Sequence, residues 1–86
     1  MEIYVLNATN QKSYYGKALV LENDNTIKLQ SYETIVAVFN KKTNVLKING
    51  WYSMTTSKHI NDFAKMCGYY KGLSKKEIKD GLVIQL

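Results

Sequence analysis

The chain has 86 residues, of which 45 % are apolar and 22 % charged, and its net charge is +5. That length leaves room for a single domain over residues 1–86, since a chain this short buries only about two thirds of its unfolded surface and cannot support two cores. Seven tyrosines, one tryptophan and two phenylalanines exclude a disordered chain.

Cys67 is the lone cysteine, which rules out an internal disulfide and a thiolate metal cluster. The longest apolar run, Ile35 to Phe39, falls far short of the roughly 20 residues of a membrane span, and Met1-Glu2 is not a basic leader. The expectation is a soluble protein of the cytoplasm with no membrane contact and no cofactor. All twelve basic residues are lysine. A basic balance favours polyanionic partners, whereas the lack of arginine argues against sharp base readout. An AT-rich coding sequence also produces a chain rich in Lys, Asn, Ile and Tyr.

In chain order, Glu2 to Leu6 reads as a short strand, and the polar Asn7 to Ser13 as a loop. Tyr14 to Glu22 is apolar on both faces and predicts a central strand, followed by a turn at Asn23 to Asn25. Thr26 to Gln30 alternates strictly, with Ile27 and Leu29 on one face and Lys28 and Gln30 on the other. Thr34 to Phe39 reads as a buried strand and Asn40 to Asn44 as a turn. Beyond it Leu46, Ile48 and Tyr52 share one face, with Lys47, Asn49, Trp51 and Ser53 on the other. Asn49-Gly50 is either a turn or a bulge.

The period then changes to 3.6. Ile60, Phe63, Ala64 and Cys67 form one stripe of a helix over about 56–67, capped by Thr55, Thr56 or Ser57 and closed by Gly68. Ser74 and Glu77 have capping-box spacing, and Leu73 with Ile78 has staple spacing, which predicts a short helix over about 75–80. The apolar tail Leu82 to Leu86 is expected as an edge strand or a plug on the core. The fold class is α+β: a mostly antiparallel sheet of four to five strands packed by one helix, with a short C-terminal helix.

Catalysis finds little support. His59 and Cys67 stand eight residues apart on one helix, about 12 Å at 1.5 Å per residue, too far for a nucleophile and its base. No second histidine completes a metal site, no acidic pair has general acid and base spacing, and no phosphate-binding loop is present. The chain reads as a non-enzyme. A binding surface is the alternative: Lys28, Gln30 and Tyr32 from one strand and Lys47, Asn49 and Trp51 from another interleave cations with stacking rings, as in single-strand binding. A merely solvated sheet face produces the same pattern, and a register shift at the bulge would turn Trp51 into the core. Six lysines between Lys58 and Lys79 add either a diffuse electrostatic patch or an ordinary solvated helix face.

At Asn7 to Ala18 (NATNQKSYYGKA), Ser31 to Ala37 (SYETIVA) and Asn49 to Phe63 (NGWYSMTTSKHINDF) the sequence resembles a family of short uncharacterised proteins. They are carried by phages, prophages and other mobile elements of Gram-positive bacteria. The resemblance covers about two thirds of the chain and brings no catalytic or binding residues with it. It implies a setting, the cytoplasm of an infected bacterium, and action by attachment to a host or phage macromolecule. Two expectations follow. One is a nucleic-acid-binding accessory protein using Lys12, Lys17, Lys28, Lys47 and Lys58 on phosphates, with Tyr32 or Trp51 as stacking platforms and His59 beside them. The other is a protein-binding inhibitor of a host defence nuclease, of the anti-CRISPR type, anchored by aromatic residues. Exposed sheet edges would also allow a homodimer.

Overall fold

In the computed structural model, residues 2–5, 18–50 and 54–86 are described. Six strands form one antiparallel sheet in sequence order: β1 (Glu2–Val5), β2 (Ala18–Glu22), β3 (Thr26–Ser31), β4 (Thr34–Asn40), β5 (Val45–Ile48) and β6 (Leu82–Gln85). Two helices, α1 (Met54–Cys67) and α2 (Lys75–Asp80), lie in sequence between β5 and β6. The class is α+β as read. The sheet has six strands where four to five were expected, because both ends of the chain join it: β1 pairs with β2, and β6 with β5.

Two of the turns, β2 to β3 and β4 to β5, are closed by an asparagine side chain. The Asn23 carboxamide oxygen accepts from the N–H groups of Asn25 at 2.9 Å and Thr26 at 2.8 Å. Asn40 does the same for Lys42 and Thr43 at 2.9 and 3.1 Å. These are Asx-type closures, in which a short side chain replaces a missing backbone acceptor. The Lys41 ammonium then ties the two turns together through the carboxylate of Glu22 and the carbonyl of Asn23.

Alternation in β2, β3 and β5, and in β4 beyond its bulge, sends Ala18, Val20, Leu29, Ala37, Phe39, Leu46 and Ile48 to one face, where α1 covers the middle of the sheet with Ile60, Phe63 and Ala64. Each fully buried Leu, Ile or Phe contributes about 1.5–3 kcal/mol. α1 begins at Met54, about a turn's half earlier than its stripe predicted, and α2 occupies the predicted residues. The capping box forms: Glu77 N–H donates to Ser74 Oγ at 3.1 Å and Ser74 N–H to Glu77 Oε1 at 3.0 Å. Leu73 and Ile78 are both buried, as the staple requires.

One strand expectation is corrected. β3 ends at Ser31, and Tyr32 sits in the turn to β4 with φ 56°, so it does not continue the outward row of Lys28 and Gln30. A left-handed residue reverses the chain and breaks the period of two. β5 likewise ends at Ile48, and Gly50 takes φ 85°. The expected continuation through Trp51, Tyr52 and Ser53 lies outside the described residues, as do the loop Asn7 to Ser13 and the first part of the second strand, Tyr14 to Lys17.

Candidate functional site

The face of the sheet opposite α1 follows from register alone. Ile3 pairs with Leu21, Leu21 with Lys28, Lys28 with Val38, Val38 with Lys47 and Lys47 with Val83, so these six residues form one row across all six strands. α1 meets β3, β4 and β5 on the other face, and on this one Ile3 and Val83 are 61 % and 65 % exposed. Lys28 and Lys47 are both exposed and stand two strands apart, about 10 Å between Cα atoms at 4.8 Å per strand.

Around the lysines the face is lined by amides, hydroxyls and half-buried aliphatic groups. Gln30 and Ile35 pair in the next row, below a β-bulge that shifts the register of β3 and β4 between Leu29 and Gln30. The bulge turns Val36 and Ala37 both inward, where each is fully buried, and so preserves outward Val38 beside Lys28. Asn49 holds its place through its N–H to the carbonyl of Val36 at 2.9 Å and its Nδ2 to the carbonyl of Ile35 at 3.1 Å. Two open hollows flank Lys47 and Asn49. One, of about 710 Å³, runs to Val38, Asn40, Thr43, Val45 and Gln85. The other, of about 460 Å³, reaches Asp80, Gly81 and Val83. Among the described residues, no strand of the sheet turns a carboxylate to this face: Glu2 and Glu22 pair with each other and share the register of buried Phe39 and Leu46. The strands thus present two lysines with no strand carboxylate beside them, while Asp80, at the end of α2, borders the smaller hollow next to Lys47.

The predicted site residues divide accordingly. Lys28 and Lys47 come together on the open face, with Gln30 and Asn49 beside them. Lys58 is exposed on α1, in the other layer, and does not join them. Lys12, Lys17 and Trp51 lie outside the described residues. Tyr32 is 48 % exposed, but its ring leans toward the helix layer, 6.1 Å from the imidazole of His59. His59 is corrected most sharply: it is fully buried and has no surface to offer a partner. α1 crosses the sheet centrally, so its covered stripe is wide enough to take in Thr56, His59 and Asp62 as well as the apolar residues.

His59 belongs to a polar cluster that the sequence reading missed. Ser31 Oγ stands 2.8 Å from His59 Nδ1 and 3.1 Å from Thr56 Oγ1, all three residues being at most 2 % exposed. The signal was present in β3, where Ser31 follows Ile27 and Leu29 at inward positions. A serine against an imidazole has the form of a nucleophile and base, but both are sealed under α1, and the cluster acts as a hydrogen-bonded pin between β3 and the helix. Burial, and then the charge of Glu22, push the half-buried Cys67 thiol up to about 12, which favours its protonated form at neutral pH.

Among the described residues, no three His, Cys, Asp or Glu side chains are grouped to hold a metal ion, and no helix is long and apolar enough to cross a membrane. Comparison with curated proteins and with solved structures gives no match. A family of unknown function, DUF8033, matches residues 1–80, and the chain belongs to that family.

Proposed function

We propose that this protein is a non-enzymatic accessory protein of a phage or mobile element, which binds single-stranded nucleic acid on the open face of its sheet in the bacterial cytoplasm. The observation that carries the reading is the shared row of Lys28 and Lys47, with Gln30 and Asn49 beside it and no strand carboxylate opposing it among the described residues. Two lysines whose Cα atoms stand about 10 Å apart on a broad, shallow surface suit a flexible backbone better than a duplex groove. In this reading Lys12 and Lys17 are further phosphate contacts and Trp51 the stacking ring, whereas Lys58, exposed on α1, belongs to the other layer and takes no part. Contacts of this kind are sequence-tolerant, in keeping with a chain that has lysine only.

The test is the salt dependence of affinity for a labelled single-stranded oligonucleotide, from about 50 to 200 mM salt. Each phosphate neutralised contributes about 0.7 to the slope of log K against log salt, so the double variant Lys28→Gln, Lys47→Gln flattens it by about 1.4. Absence of binding at the low-salt end, or an unchanged slope in the double variant, overturns the proposal.

The aliphatic part of the same face favours a second reading, a protein-binding inhibitor of a host defence nuclease. Ile3 and Val83 are exposed, and Leu19, Leu21, Ile35, Val38 and Val45 are half-buried. Such a surface buries apolar area against a partner. Capture from host lysate separates the two: a polypeptide retained after nuclease treatment supports the inhibitor, and material lost on that treatment supports nucleic acid.

A further inference from the structure

We infer that β6 pairs with the β6 of a second copy of this chain across a two-fold axis, joining two sheets edge to edge. β6 is the last strand in the sheet, bonded to β5 on one side and, among the described residues, to nothing on the other. The register decides which backbone groups face the open side. The N–H of Leu86 is bonded to the carbonyl of Asn44 at 2.8 Å, so residues 82, 84 and 86 turn their polar groups toward β5. Val83 and Gln85 turn theirs outward.

Two outward residues separated by one are complementary to themselves. In an antiparallel pair centred on Ile84, Val83 exchanges both of its backbone hydrogen bonds with the partner's Gln85, and Gln85 exchanges both with the partner's Val83. Nothing on the strand opposes this. Sheet edges are normally protected by a charge, a proline or a bulge, and Leu82 to Leu86 contains no charged residue, no proline and no shift of register. Val83 and Leu86 are 65 % and 39 % exposed. The opposite edge, β1, carries Glu2, and joining it to β6 would propagate a filament, whereas β6 on β6 closes at two copies.

Charge does not forbid the seam. Lys47 and the partner's Lys47 would stand three strands apart, about 14 Å, beyond the Debye length of about 8 Å at physiological salt. Because Val83 faces outward on both copies, the two open faces run into one surface. A seam of four-residue strands covers much less than the roughly 1,200 Å² of a standard interface, so the association is weak and concentration-dependent.

Sedimentation equilibrium of the full chain without nucleic acid tests the inference, and its failure is separate from that of the salt test on Lys28 and Lys47. The mass is expected to rise with concentration from one copy to two and no further. Val83→Pro removes an outward N–H while sparing the β5·β6 ladder, and it keeps the protein at one copy with unchanged circular dichroism. Val83→Lys, a second variant that does not depend on tolerance of proline, weakens the dimer more at low salt than at high. Ile84→Cys in a Cys67→Ala background cross-links under oxidation, since the Cα atoms of a non-hydrogen-bonded pair stand about 4.5 Å apart. A single-copy mass at every concentration, a dimer unaffected by both Val83 variants, or growth beyond two copies would each contradict the inference.

Discussion

Asn61 does more for the fold than its place on a helix would announce. Its carboxamide oxygen accepts from the N–H of Leu73 at 2.7 Å, and its Nδ2 donates to the carbonyls of Ser57 at 3.0 Å and Leu73 at 3.4 Å. One side chain thereby fixes the start of the α2 segment against α1, which Leu73 and Ile78 complete with apolar contact. Asn61→Ala leaves the Leu73 N–H without that acceptor and is expected to cost about 1–3 kcal/mol, read as a lower urea midpoint at unchanged slope. Asn61→Asp keeps the acceptor and should lose less. Neither Asn61 nor Ser31 stood out in the sequence, because their partners are 12 and 28 residues away and periodicity reports only which face a residue takes. The left-handed Tyr32 was hidden for a different reason: tyrosine is rarely chosen for positive φ, and tertiary contact with His59 accompanies it here.

Elements whose ends are specified by local chemistry were the legible ones. α2 was readable to the residue because Ser74, Glu77, Leu73 and Ile78 act within one turn of one another. The Glu77 carboxyl is held below its ordinary 4.5, first by the backbone N–H of Ser74 and then by its hydroxyl. A carboxyl with a lowered folded pKa stabilises the fold above its unfolded pKa, and that contribution is lost as pH falls through the folded one. The stability difference between the wild type and Glu77→Gln is therefore expected to be present at neutral pH and to shrink below 4.5, measured by denaturant titration at a series of pH values. A difference that stays constant across that range would remove the charge from the account of the cap. The bulge in β4 was not legible, since Ile35 to Phe39 is apolar throughout and any register satisfies such a run.

At the scale of the molecule, the arrangement is a two-sided sheet with unequal sides. α1 covers one side, where it meets β3, β4 and β5, and hides the chain's histidine with a serine and a threonine. The other side keeps two lysines in a common row among amides and aliphatic groups. The placement of Lys28 and Lys47 on one face was foreseeable from alternation in each strand, because the two strands are separated only by β4 and turn the same way. Separation of Lys58 and His59 from that face was not, since it depends on which side of the sheet the helix takes. Of the two sides, the open one is expected to meet the ligand. Backbone amide chemical shifts followed during titration with a single-stranded oligonucleotide test that directly. Shifts concentrated at Lys28, Gln30, Val38, Lys47 and Asn49 are predicted, with Phe63, Ala64 and Ile78 unmoved; shifts confined to α1 and α2 would contradict the open face as the binding surface.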